Sequence, residues 1–486
     1  MNGEFDKNGV WLKIEKMAQN AVVQVFSQVG KINWKEPYKI GDQFENRGTG
    51  FIVNEYGYIV TNYHVIHEAK VVWIQMPALG RKIIHAYVVG FCPDSDIALL
   101  AISKEGFAQI KDKLGKVPFL ALGDSDTVRR TDSVMVLGYP LGHHNLKSTI
   151  GIVSGTASTG GISLIQITAP INPGNSGGPI LSSFGSVIGM AVSGAVMAQN
   201  VGYAIPINEL KIIFDDLQKQ RLLRKPFIGA MFQNSSKAQA KLLGNPTPAG
   251  FYIKKIFKDT LMEKAGVQPG DMLYMFNGHG IDAYGEAKVP WTEDRVILRD
   301  LISRLSIGDL VSMVIYRKGE KKEINFTLEP PPVYPIRMIF PGYDEIDYEV
   351  IGGMVIMELR DNLLPFLSSL NPDIIKYAKI ENKTESVLVI THILPGSYAQ
   401  QIRCINPGEI IKKVNGVEIK TLNDFREFLR KSLDTDFLSI ETAEKTLAVF
   451  EFRAMLKDEL NMAVSFAYPI SVSTAKLINE IEGKEK

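Results

Sequence analysis

The sequence predicts a mainly β protein, with a two-barrel all-β domain followed by two smaller α+β units. Three observations carry this. From Ala21 to Ile205, short apolar runs alternate with turns rich in Gly, Asn and Pro, a pattern of many short strands rather than of amphipathic helices. Residues 269–278 and 407–416 match position for position across an offset of 138 residues, an internal repeat that marks two copies of one smaller unit. Two breaks separate the parts: residues 221–226, which end on Pro226, and the triplet Pro330-Pro331-Pro332, stiff in polyproline II. A chain of 486 residues suits about three domains of ~150 residues each.

In order along the chain, residues 1–20 read as an N-terminal helical segment, with Trp11, Ile14 and Met17 at helical spacing. The double barrel spans residues 21–222. Inside it, the runs 48–53 and 58–66, parted by Asn54-Glu55-Tyr56-Gly57, predict a β-hairpin. Residues 207–221 predict a helix whose apolar stripe is Leu210, Ile213, Phe214 and Leu217. The first smaller unit, 227–330, opens on Phe227-Ile228-Gly229-Ala230. It continues with a strand at 250–253, a short helix at 262–267, a turn and strand at 269–278, a long insertion at 282–294, a helix at 298–305 and strands at 309–316 and 322–328. The second, 333–455, carries Ile351-Gly352-Gly353-Met354 and an insertion at 358–385. Residues 456–486 read as a tail with a charged end.

Composition excludes some partners. Lys and Arg number 54 against 53 Asp and Glu, a net charge of +1. A nucleic acid or an anionic membrane surface demands a basic face, so neither is expected as the main partner. No run approaches ~20 apolar residues, so no membrane span is expected, and residues 1–19 lack the apolar stretch of a signal peptide. Cys92 and Cys404 fall in different domains and read as two buried thiols rather than a disulfide.

The chemistry centres on Gly174-Asn175-Ser176-Gly177-Gly178-Pro179. Glycines there let the backbone turn tightly and aim N–H groups into one hollow beside a serine hydroxyl. A base stands upstream: His64 follows an apolar strand and can face a cleft. Asp96 opens the apolar run 97–100, and a carboxylate there can hold an imidazole Nδ1–H and set its tautomer. Asp94 is the rival for that role. The order is His64, Asp96, Ser176, with steps of 32 and 80 residues, as in chymotrypsin-like proteases. Each residue alone reads as a turn, a cap or a core histidine; the three in order, each beside its own strand, reverse that reading. His64-x-x-His67 has no third residue at metal spacing, so no metal is expected. His143-His144 reads as loop. Gly174-x-Ser176-x-Gly178 also fits a nucleophile elbow, but that fold needs its acid and histidine downstream and a helix after the turn, where Pro179 begins a strand-like run.

These residues resemble the DegP/HtrA family of serine proteases. The resemblance rests on Thr61-Asn62-Tyr63-His64-Val65-Ile66, Asp96-Ile97-Ala98-Leu99-Leu100, Gly138-Tyr139-Pro140-Leu141-Gly142, the run from Ala169 to Pro179, and Gly202-Tyr203-Ala204-Ile205-Pro206. It implies a trypsin-like, chymotrypsin-type double barrel with His64 as base, Asp96 as its orienting acid and Ser176 as nucleophile. It implies an oxyanion hole from the N–H groups of Gly174 and Ser176 with Asn175 between them. Ile171 and the 192–196 loop, including Val192, Ser193 and Gly194, would line a small apolar pocket. Tyr63 departs from the Asn or Ala of most relatives. The two smaller units resemble PDZ domains. Phe227, Ile228, Gly229 and Ala230 would form the first one's carboxylate-binding loop, with peptide added along the adjoining strand; a closed groove acting only as a spacer is the alternative. In the second, Ile351-Gly352-Gly353-Met354 is a poor match. The divergent pair is similar to the plant-type Deg subgroup.

The resemblance implies an ATP-independent serine endopeptidase that degrades unfolded or damaged proteins in quality control and stress response. It implies no cofactor, unfolded polypeptides and peptide C-termini as partners, and a homo-oligomer of three or multiples of three. Trp11, Phe26, Trp34 and Phe44 suit such an interface, and equally a core. A periplasmic, extracytoplasmic or organellar location follows if a targeting segment has been removed, and an intracellular one otherwise. The alternative function is a chaperone or PDZ scaffold whose protease is idle or only conditionally active.

Overall fold

Short strands with buried apolar runs close two six-stranded antiparallel barrels at the head of the chain. The first is built from β1 (Val22–Ile32), β2 (Ile40–Ile52), β3 (Tyr58–Thr61), β4 (Ala69–Gln75), β5 (Ile84–Cys92) and β6 (Ile97–Ile102), in the order β1-β2-β3-β6-β5-β4. The second takes β7 (Ser133–Gly138), β8 (Lys147–Thr159), β9 (Ile162–Ile167), β10 (Pro179–Ser182), β11 (Val187–Val192) and β12 (Gly202–Pro206), in the order β10-β11-β12-β9-β8-β7. Closure removes the free edges that short strands would otherwise expose. The structure is a computed structural model describing residues 5–159, 162–192 and 201–484. It divides into two units, residues 5–29 with 44–332, and residues 30–43 with 333–484.

In the first unit the predicted hairpin forms, with Phe51 opposite Val60 and Ile52 opposite Ile59. Phe51, Ile59, Leu99 and Leu100 are fully buried, and truncating one such side chain typically costs about 2–5 kcal/mol. The helix Ile207–Lys219 lays Leu210, Ile213 and Leu217 into the core, with Phe214 partly buried. It reaches β5 at a bulge beside Gly90, where a Cβ would overlap the Leu217 carbonyl. The N-terminal helix Phe5–Ala18 buries Trp11, Ile14 and Ala18, whereas Met17 is 57% exposed. Positions 11, 14 and 18 share one face, and residue 17 lies a hundred degrees from 18, off that face.

The first PDZ-like domain is an antiparallel sheet of Ala230–Gln233, Phe251–Ile256, Met272–Phe276, Leu310–Arg317 and Glu320–Thr327, in that order, with Ala230–Gln233 outermost. Its insertion does not hang free. Asp294 pairs with Arg130 and accepts from Thr156 Oγ1 at 2.9 Å. Arg304 holds Asp126 through two bonds of 2.9 and 2.7 Å, and its guanidinium lies 4.5 Å from the Trp291 ring centroid. These contacts join the domain to the second barrel, so the break at 221–226 divides two domains of one unit.

The second unit is a sheet of Glu349–Ile351, Met354–Glu358, Leu388–Ile393, Ile410–Val414, Phe437–Thr442 and Leu447–Glu451. The helix Leu422–Thr435 starts at a capping box of Thr421 and Asp424 and buries Phe425 and Leu429. Three expectations need correction here. Residues from 456 on are not a tail. The helices Phe452–Phe466 and Val472–Lys484 place Met455, Leu456, Leu477, Ile478 and Ile481 in the unit's main core, because their apolar residues recur at helical spacing. Residues 30–43 belong to this unit: Trp34 packs against the apolar cluster that includes Ile336 and Met357, and the Tyr38 ring meets those of Tyr348 and Tyr468. Trp34 is therefore partly buried against this core, Trp11 and Phe26 are buried, and Phe44 is 41% exposed. Finally, both cysteines are free, but only Cys92 is buried; Cys404 is half-buried.

Candidate active site

The segment after β3 is held to one residue by four bonds. The Asp96 carbonyl accepts from the Asn62 side-chain amide at 3.0 Å and from the Tyr63 N–H at 3.1 Å. Its carboxylate accepts the His64 backbone N–H on Oδ1 at 2.9 Å and faces His64 Nδ1 through Oδ2 at 2.8 Å. Asp96 can turn both groups toward the same segment because its backbone is left-handed, with φ 51° and ψ 41°, a conformation that Asp tolerates better than most residues. A carboxylate only accepts, so Nδ1 carries the hydrogen that faces it, and in the neutral imidazole Nε2 presents a lone pair. Asp94 is engaged elsewhere: its Oδ2 accepts the Lys225 N–H at 3.0 Å.

Tyr63 stacks on Phe91 with centroids 5.1 Å apart, and its hydroxyl lies 2.6 Å from His67 Nδ1. Burial raises its phenol pKa well above the ordinary value. His67 thus serves Tyr63. Among the described residues no group of three or more His, Cys, Asp and Glu could hold a metal ion.

Ser176 is reached from the second barrel. It sits in a turn ahead of β10, 2% exposed, beside Asn175 at 4%. The turn is stitched to the first barrel. Thr49 on β2 donates its N–H to the Ser176 carbonyl at 2.8 Å and its hydroxyl to the Gly174 carbonyl at 2.7 Å. Gly177, with φ +84°, passes so near Thr49 and Thr61 that a Cβ would overlap both, and it would stand 3.0 Å from the Asn62 nitrogen. The serine turn therefore abuts the strand end that leads into His64.

The peptide planes of this turn have fixed orientations. The Pro173 carbonyl accepts from Leu141 N–H at 2.7 Å and the Asn175 carbonyl from Gly178 N–H at 2.9 Å. In a trans peptide the N–H points opposite to the C=O. The Gly174 and Ser176 N–H groups are thus turned away from those two anchors. The Asn175 N–H bonds back to Asn172 O at 3.0 Å. Gly174 has φ +99°, open to glycine without strain.

Ile171 is partly buried against the second barrel's core and touches the β12 backbone, where a Cβ at Gly202 would come within 2.9 Å of its Cδ1. Val192, partly buried, ends β11 opposite Tyr203. Ser193 and Gly194 lie outside the described residues. In the first PDZ-like domain, Phe227 leans on Phe257, Ile228 is buried, and the Gly229 carbonyl accepts from Phe257 N–H at 2.9 Å. With Ala230 they lead into the outermost strand. The matching strand of the second unit, Met354–Glu358, is covered on that side. Glu349–Ile351 pairs with it through a two-residue turn at Gly352-Gly353, and the Gly352 N–H is taken by Glu459 Oε2 at 2.9 Å. Sequence reasoning missed Thr49 and Glu459. The only signal for Thr49 was its place between two glycines.

Residues 48–190 match the trypsin-like peptidase domain family, and residues 342–474 match a PDZ domain family. A probable periplasmic serine endoprotease, DegP-like, of Marinomonas sp. (strain MWYL1) is 28% identical over 397 residues, 80% of this chain and 75% of that protein. Protease Do-like 2, chloroplastic, of Arabidopsis thaliana is 27% identical over 471 residues, 93% and 74%. Among solved structures, the HtrA-type protease AlgW with a decapeptide superposes with a TM-score of 0.51 at 24% identity. That match covers 66% of this chain and 99% of the other, and is a likeness of fold.

Proposed function

Because the chain is homologous to the DegP/HtrA proteases, with a trypsin-like peptidase domain and PDZ domain, we propose that it is a serine endoprotease of that type working through His64, Asp96 and Ser176. Ser176 Oγ attacks the scissile carbonyl while His64 Nε2 takes its proton. His64 then returns that proton to the leaving amine, and water cleaves the acyl-enzyme by the same steps. Asp96 holds the imidazole in the working tautomer. The Gly174 and Ser176 N–H groups receive the oxyanion. Ile171 and Val192 wall the pocket for the residue before the cleaved bond.

The observation that carries this reading is the 2.8 Å contact between His64 Nδ1 and Asp96 Oδ2, next to a serine turn pressed on the same strand end. The substrates proposed are unfolded or damaged polypeptides, cleaved without ATP in quality control. Phe227–Ala230 and the outer strand after them take peptide C-termini. The proposed assembly is a homo-oligomer of three or multiples of three. The relatives are named periplasmic and chloroplastic, and an extracytoplasmic or organellar site is proposed here too. Among the described residues no helix is long and apolar enough to cross a membrane.

The test is turnover of casein as an unfolded substrate. The chain is expected to cut it, and Ser176→Ala to lower the rate by roughly 10⁴-fold or more. Equal cleavage by the variant would refute the assignment.

A further inference from the structure

We infer that Thr49 is a positioning residue for the oxyanion-binding turn, acting through the two backbone carbonyls it holds. The inference rests on the proposed role of Ser176. The four successive carbonyls from Pro173 to Ser176 are each anchored. Leu141 N–H takes the first and Gly178 N–H the third, while Thr49 takes the second with its hydroxyl at 2.7 Å and the fourth with its N–H at 2.8 Å. One residue of the first barrel thus supplies half the anchors of a turn belonging to the second.

The hydroxyl bond matters most, because it acts on Gly174. Glycine has almost no intrinsic preference between the two ways its following peptide can face. Gly174 already sits at φ +99°, so the orientation of its carbonyl is set by what the 174–175 peptide binds: Thr49 Oγ1 at the carbonyl and Asn172 O at the N–H. Without the Thr49 bond the 174–175 peptide is held only through its other end, where the Asn175 N–H meets Asn172 O at 3.0 Å, and it is freer to rotate. Gly174 ψ then changes, and the geometry between the Gly174 and Ser176 N–H groups is lost.

Thr49 is itself held firmly. It is 0% exposed. Its hydroxyl also accepts the Tyr139 N–H at 3.0 Å, and its carbonyl accepts Thr61 Oγ1 at 2.7 Å. There is no slack around it: a Cβ at Gly138 would stand 3.1 Å from the hydroxyl. A hydroxyl in that position both donates and accepts; a methyl of the same size does neither and leaves the Gly174 carbonyl and the Tyr139 N–H unpaired. Thr49 touches no substrate atom in this scheme. It acts on rate through the turn alone.

The experiment compares Thr49→Val, Thr49→Ser and Ser176→Ala in the whole chain, using a cleavable fluorogenic peptide and a peptide boronic acid that mimics the tetrahedral adduct. For Thr49→Val, kcat should fall about tenfold to a hundredfold, somewhat less than the loss of one oxyanion donor. KM should stay within about twofold, and boronate affinity should fall in step with kcat/KM. Thr49→Ser keeps the hydroxyl and should stay within about threefold of wild type. If the valine variant does not fold, Thr49→Ala is read in its place. Thr49→Val turning over like wild type while Ser176→Ala is dead overturns the inference alone, as does a serine variant that falls as far as valine. Turnover surviving Ser176→Ala overturns the underlying reading instead.

Discussion

Gly177 and Thr61 meet across the two barrels with no room for a side chain between them: a Cβ on Gly177 would overlap Thr61 Oγ1 and the Thr49 carbonyl. Thr61 ends β3, three residues before His64. This contact sets how near the serine turn comes to the histidine.

Gly177→Ala should therefore damage both stability and rate. The residue has φ +84°, and the added methyl meets backbone, which cannot swing aside. A loss of at least about 2 kcal/mol is expected, read as a fall in the denaturant midpoint, with turnover falling further than the folded fraction does. An alanine variant with wild-type rate and midpoint would show that the turn is not packed this way.

The two acids near His64 should behave differently. Asp96→Asn keeps the shape but presents an amide to Nδ1, favouring the wrong tautomer, and about 10⁴-fold in kcat should be lost. Asp94→Asn should change kcat by less than about threefold, because Asp94 accepts from Lys225 N–H. Steady-state kinetics on a fluorogenic peptide decide it. A reversal of the two effects would make Asp94 the acid.

Peptide capture should show one site per chain. The strand after Phe227–Ala230 is outermost, while its counterpart Met354–Glu358 is already paired with Glu349–Ile351. Titration calorimetry with a peptide ending in a free carboxylate should give a stoichiometry of one, and the same peptide amidated should bind far more weakly. Two equivalent sites would contradict the covered edge.

The second unit should lose stability as pH rises from about 4.5 to about 7. Glu459 is 1% exposed, and burial pushes its carboxyl from 4.5 up to about 7, against the bonds from Tyr468 and Gly352. Between those two values the unfolded chain has released the proton and the folded chain still holds it. Stability therefore falls as pH rises through the window, by about 3 kcal/mol in all. Below it nothing is lost, and above it the loss is complete. Glu459→Gln has no proton to release, so calorimetry of the chain should show a flatter pH profile and a variant more stable than wild type at pH 8. Parallel profiles would refute the burial effect.

Much of this architecture was legible because its signals are local. Short apolar runs between Gly, Asn and Pro turns pointed to the barrels, and His64, Asp96 and Ser176 each stand beside an apolar strand. The repeat at residues 269 and 407 gave two like units. What escaped depends on contacts distant in sequence. Beyond its two flanking glycines, nothing local sets Thr49 apart from any buried threonine, since its hydroxyl's partners lie 90 and 125 residues away. Glu459 reads as a solvated helix residue until Gly352, 107 residues off, is brought to it. The helices after 452 did carry a signal in Met455, Leu456, Leu477, Ile478 and Ile481, but the charged end drew them into a tail. The segment 30–43 offered Trp34 and Tyr38, whose partners lie about 300 residues or more further along the chain, where no periodicity could name them.

The most direct measurement is covalent. The chain is treated with a fluorophosphonate, which reacts with a serine only when a base activates it, and the adduct is located by peptide mass spectrometry. The account requires one adduct per chain, on Ser176, and its loss in His64→Ala. An adduct that forms equally well without His64, or labelling that reaches other serines and leaves Ser176 bare, would contradict it.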